Sequence, residues 1–175
     1  MLVDFPEEAP EDTARGDKGL EGWSCPVSFT QAAGQETDME RLRSAFKREV
    51  AELRPWYDRS LEKHDRTAVV EFGPESASEL LADFAVGEKP VTTQGDLSIA
   101  TALRLAAQDL KAFYFEAATA RPGSASPLSV EFNRWFWQET AAGRILKAVK
   151  ENCLKEADKS VQKTGAMLLV PVDQS

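Results

Sequence analysis

Apolar residues recur at steps of three and four along three long stretches of the chain, and that spacing limits the fold more than any other feature. In the first stretch they are Met39, Leu42, Phe46, Val50, Leu53 and Tyr57; in the second, Ile99, Leu103, Ala106, Ala107, Leu110, Phe113, Tyr114 and Ala117. An α-helix turns about 100° per residue, so each set forms one stripe, and a stripe of that kind must be buried against another element. The third stretch, "PLSVEFNRWFWQETAAGRILKAV", continues the pattern. Read as one helix, it gathers Leu128, Phe132, Trp135, Phe136, Ala142, Gly143, Leu146, Val149 and Cys153 in an arc little wider than a third of a turn. Three stripes that need one another predict a helical bundle.

The ends of the helices are marked by residue chemistry. Thr37 followed by Glu40 reads as a capping box, in which each side chain satisfies a backbone N–H that the helix leaves open. Pro55 should kink this first helix or begin a new one, which runs to about His64. "RTAVVEFGP" reads as an extended segment. Ser76 and Glu79 read as a second capping box, with Gly87 as the stop. Asp96 is placed to cap the helix of the second stripe. Ser126 before Pro127 starts the third, since proline at the first helical position loses no hydrogen bond, and that helix should reach about Ala157. "KSVQKTGAMLLVPV" reads either as a short helix or as a strand pairing with "TAVVEF". The expectation is an all-α, single-domain bundle of about five helices over residues 36–175. The alternative is an α+β domain with a small two-stranded element near residues 67–72 and 167–172. Residues 1–35 carry many acids, three prolines and no helical period, and read as an irregular acidic arm with one apolar anchor, "GWSCPVSF".

Composition narrows the chemistry. A chain of 175 residues suits one domain with a real core. Its net charge of −8 disfavours a phosphate backbone, and the lysines of "KAVKENCLKEADKSVQK" alternate with acids as on a solvated helix face, so no nucleic-acid partner is expected. No apolar run approaches the roughly 18 residues that span a bilayer, so no membrane partner is expected. Cys25 and Cys153 form no CxxC pair and the first residues turn acidic at once, which points to the cytoplasm. Gly16, Gly19 and Gly22 lack the flanking strand and helix that a phosphate loop requires. The single histidine, His64, supplies neither a metal cluster nor a nucleophile's base, and no cofactor is expected. Glu49 and Glu52, then Glu62 and Asp65, resemble the E-x-x-E and E-x-x-D pairs of all-α magnesium-dependent nucleotide pyrophosphatases over 17 residues. In that family the pairs lie on two facing helices. The nine residues between Glu52 and Glu62 are enough for one kinked helix and too few for two with a turn, so the chain is not assigned to the family.

Two sets of residues are candidates for function. Glu139 falls within the apolar arc of the third helix, where an isolated charge is costly unless it is paired, protonated or turned into a polar cavity. With Phe113, Tyr114, Phe132, Trp135 and Phe136 it would form an aromatic pocket for a small ligand. Its structural partners would instead be drawn from Arg104, Arg121, Tyr114 and Trp56. Trp137 falls outside the arc beside Val130, near Ile145, and Phe115 lies off the stripe of its own helix; these four form a candidate interaction surface. The leading expectation is an interaction or accessory protein that binds another macromolecule, through an unknown protein partner, or associates with itself. The alternatives are a small-ligand-binding helical domain around Glu139 and an enzyme working with carboxylates alone.

Overall fold

The structure, a computed structural model, describes residues 37–68, 70–90, 97–120 and 129–171. The acidic arm, Asp96 and the Ser126–Pro127 start signal lie outside the described residues. Six helices follow in order: α1 (Asp38–Lys63), α2 (Pro74–Ala85), α3 (Ile99–Thr119), α4 (Ser129–Gln138), α5 (Ala141–Lys155) and α6 (Lys159–Thr164). A π-helical turn, Gly165–Leu169, continues from α6. Helix accounts for 79% of the described residues, and none of them is in a strand. The chain is an all-α bundle. The two-stranded alternative is overturned: Met167 and Leu168 lie in the π-turn, which packs on α5 and reaches α3.

The first stripe behaves as its spacing requires. Thr37 and Glu40 close the capping box, with the Thr37 N–H donating to Glu40 Oε2 at 2.9 Å and the Glu40 N–H to Thr37 Oγ1 at 3.2 Å. The helix then continues through Pro55 to Lys63 without starting anew, with Phe46, Val50, Leu53 and Tyr57 buried. Its stripe packs on α2, α3 and α5. Helix α2 begins earlier than the Ser76–Glu79 box suggests. Pro74 takes the first helical position after Gly73, where its missing N–H costs nothing. It ends on Gly87 at φ +84, with the Glu88 N–H donating to the Asp83 carbonyl and the Gly87 N–H to that of Phe84, the paired bonds of a left-handed helix stop. Ser98 caps α3 through the Thr101 N–H.

One departure from the sequence pattern controls the rest. The third stretch is two helices, broken at Glu139 and Thr140. Thr140 takes extended geometry and its hydroxyl does two jobs: it donates to the Phe136 carbonyl at 2.6 Å and accepts the Gly143 N–H at 3.0 Å. A threonine hydroxyl that bonds locally in this way competes with the helix ladder and favours a cap. The first turn of α5 thereby folds back on the last turn of α4. The contact is so close that a Cβ on Gly143 would stand 2.2 Å from the Phe136 carbonyl oxygen and 2.9 Å from the Trp137 Cα.

That corner yields a prediction opposite in sign to helix propensity. Alanine is the better helix former by about 1 kcal/mol. Gly143→Ala should nevertheless destabilise the protein by about 2–3 kcal/mol in urea denaturation, because backbone on both sides must move. A gain in stability would mean that the corner is looser than described.

Candidate functional site

The polar centre of the bundle is Glu49. It stands three residues after Phe46 and four before Leu53, so the helix that buries those two must bury it as well. It is fully buried, at 0% exposure. Its carboxylate accepts the N–H of Ala141 at 2.6 Å, the N–H of Ala142 at 3.2 Å and the Tyr114 hydroxyl at 2.8 Å. Ala141 and Ala142 open α5, where a helix has N–H groups without internal partners and a partial positive charge. Glu49 of α1 thus fills a place that a capping side chain or an anion would take, while Thr140 serves the third donor, the N–H of Gly143.

Electrostatics at this carboxylate run in two directions. Burial pushes the Glu49 pKa up from the ordinary 4.5; the N–H of Ala141, the Tyr114 hydroxyl, the N–H of Ala142 and the Arg144 charge pull it back, and burial prevails. Both oxygens are engaged by donors from the protein and neither meets solvent. Such a group clamps three helices together, and it is poorly placed to bind a cation or take a proton from a substrate.

The residues expected to line an aromatic pocket do come together. The Tyr114 ring centroid lies 5.4 Å from that of Phe136, 5.6 Å from Phe113 and 6.1 Å from Trp135. Phe132 lies 5.7 Å from both Trp135 and Phe136. These rings meet edge to face or tilted, apart from the stacked pair Phe132 and Phe136, as a packed core. Glu139 is not among them. The break at Thr140 leaves it exposed on the corner, and Glu49 takes the place beside Tyr114. Its other expected partners are engaged elsewhere: Arg104 donates to Gln108, and Arg59 lies over the Trp56 ring. Arg121 lies outside the described residues.

The expected interaction surface is also redrawn. Trp137 and Ile145 are buried, because the corner turns α4 relative to α5 and a single helical wheel no longer applies to both. Trp137 packs edge-on against Phe136 at 4.9 Å, with the Lys111 ammonium 5.7 Å from its ring centroid. Phe115 and Val130 remain exposed. The E-x-x-E pairs lie along or just past one helix, with Glu49 turned inward and Glu52, Glu62 and Asp65 outward. Among the described residues no group of three His, Cys, Asp or Glu side chains is placed to hold a metal ion. Cys153 is buried, and burial, reinforced by Glu156, pushes its thiol up to about 12, far from a reactive thiolate.

Sequence reasoning missed two groups here. Glu49 was legible, since a glutamate at the third position after a core phenylalanine belongs to the stripe. Lys111, partly buried with its amine on the Leu169 carbonyl at 3.2 Å, depends on a long-range contact that no local pattern encodes. No protein-family model, no curated protein and no solved structure matches the chain.

Glu49→Gln keeps the shape but turns an amide donor toward backbone N–H groups, leaving a buried N–H without an acceptor. The expected cost near neutral pH is about 1–3 kcal/mol. The pH dependence has a definite sign. A folded-state pKa raised above the ordinary 4.5 means that Glu49 contributes stability fully present below that value and lost as pH rises through the folded-state value. Urea titrations should therefore show the gap between wild type and mutant narrowing as pH rises from about 4.5. A gap that widens would mean that the donors outweigh burial.

Proposed function

We propose that this chain is a helical interaction protein, working by binding another macromolecule or a second copy of itself, with the surface around Phe115 and Val130 as its contact. The observation that carries the reading is the state of Phe115. Its ring is 43% exposed, yet its inner edge rests on Phe132 with centroids 5.1 Å apart. An apolar ring that is both open to solvent and held in place loses little side-chain freedom when a partner covers it. Val130 of α4, at 75% exposure, is the second open apolar side chain of the proposed contact.

The small-ligand reading draws less support. Its polar contact, Glu139, lies outside the ring cluster, and every buried side-chain nitrogen or oxygen among the described residues already has a hydrogen-bond partner. A pocket that selects a ligand keeps a few polar groups free for it. A carboxylate-only enzyme fares no better, since the buried carboxylate is fully engaged by its own protein.

The test is the double variant Phe115→Ser, Val130→Asp. Native mass and sedimentation of the full chain, with affinity capture in parallel, should show wild-type association reduced by about tenfold or more in the variant. Its stability should change by under about 1 kcal/mol, as surface substitutions usually do. A wild type that neither self-associates nor retains a partner, or a variant that associates as before, would overturn the reading.

A further inference from the structure

The cations of the bundle are distributed unevenly in their pairing. Arg41, Arg43, Lys47, Arg48 and Arg54 of α1 each meet a carboxylate, as does Arg66 just beyond it. Lys155, Lys159 and Lys163, at the other end of the chain, enter no ion pair among the described residues. All three are exposed. Residues 144–163 contain six cations and three acids, a net basic stretch in an acidic protein.

The same face is apolar in part. Lys159, Lys163 and Met167 follow at steps of four along α6 and the π-turn, so they share its outer side. The inner side is fixed by Val161, Thr164 and Leu169, which are buried, and by Gly165, which stands against Cys153 of α5. Met167 is 69% exposed and Leu168 beside it 49%. Unpaired lysines interleaved with open apolar side chains suit an acidic segment that also carries apolar residues.

The chain contains such a segment. Residues 1–36 hold eight acids against Arg15 and Lys18, a net −6 of the chain's −8, together with Trp23, Val27 and Phe29. They join directly to Thr37, and a segment of that length reaches on the order of 30 Å without being extended, about the width of a small domain. A tethered segment meets the surface at an effective concentration in the millimolar range, which a separate partner rarely matches.

We propose that the outer face of α6 and the π-turn is an intramolecular docking surface for the acidic N-terminal segment of the same chain. Carboxylates of residues 4–21 face Lys159 and Lys163, and Trp23 or Phe29 covers Met167, whose sulfur favours contact with an aromatic ring. The proposal rests on α6 and the π-turn and does not depend on the function proposed above.

The experiment is zero-length carbodiimide coupling of the full chain at high dilution, read by peptide mass spectrometry on the monomer band. Acids of residues 4–21 should couple to Lys159 and Lys163 about tenfold more than to exposed Lys47, Lys63 or Lys89. The preference should vanish in about 1 M salt, where the screening length falls to about 3 Å. It should vanish also in the exposed charge reversal Lys159→Glu, Lys163→Glu, whose circular dichroism should match wild type. Even coupling to all lysines, no coupling from the segment, a preference that survives the charge reversal, or links confined to dimers would each overturn the proposal.

Discussion

One carboxylate ties this bundle together. Glu49 reaches from α1 to the opening amides of α5 and to the Tyr114 hydroxyl of α3. Each of those groups would otherwise be a buried donor without an acceptor, a state that costs more than the bond itself contributes. The helices that Glu49 joins, α1, α3 and α5, supply much of the apolar core. The polar contact and the apolar packing therefore enforce the same arrangement, and a shift of α1 by one residue along its axis would break both.

The corner between α4 and α5 is the counterpart of that clamp. Amides of an uninterrupted helix at residues 141 and 142 would bond to carbonyls four residues earlier and would have nothing to offer Glu49. The Thr140 hydroxyl ends α4 on the Phe136 carbonyl, opens α5 through the Gly143 N–H, and leaves the first two amides of α5 for the glutamate. Glycine at 143 permits the close approach of the two helices. The turn in direction sets Trp137 beneath Lys111 and leaves Glu139 outside.

Much of the fold was legible from residue spacing. The stripes of α1 and α3, the Thr37–Glu40 box and the Gly87 stop all follow from local rules, and the structure has them where the residues stand. The break at Thr140 was not, because its stretch keeps an apolar period on both sides and a threonine inside a helix is ordinary. A single wheel drawn across both helices fails at the break and beside it as well as beyond it: Trp137, in the last turn of α4, and Ile145 of α5 are buried, and Glu139, at the break itself, is exposed. The ring cluster survived because Tyr114, Phe132, Trp135 and Phe136 lie on α3 and α4, before the break. The burial of Glu49 was legible from its place in the stripe, but its role as a clamp was not. A charged residue in an apolar stripe reads as an interruption until its distant partners, here 92 and 93 residues away, are known.

The claim that Glu49 holds the start of α5 is open to direct measurement by amide hydrogen exchange at Ala141 and Ala142. First-turn amides of a helix ordinarily lack partners and exchange quickly, as part of a fraying end. Here they should be protected nearly as well as the centre of α5, at a free energy close to that of global unfolding. In Glu49→Gln the protection should fall at Ala142 and much less at Val149. Fast exchange at both amides in the wild type would contradict the account, since α5 would then begin without the clamp on which the arrangement of the bundle is argued to depend.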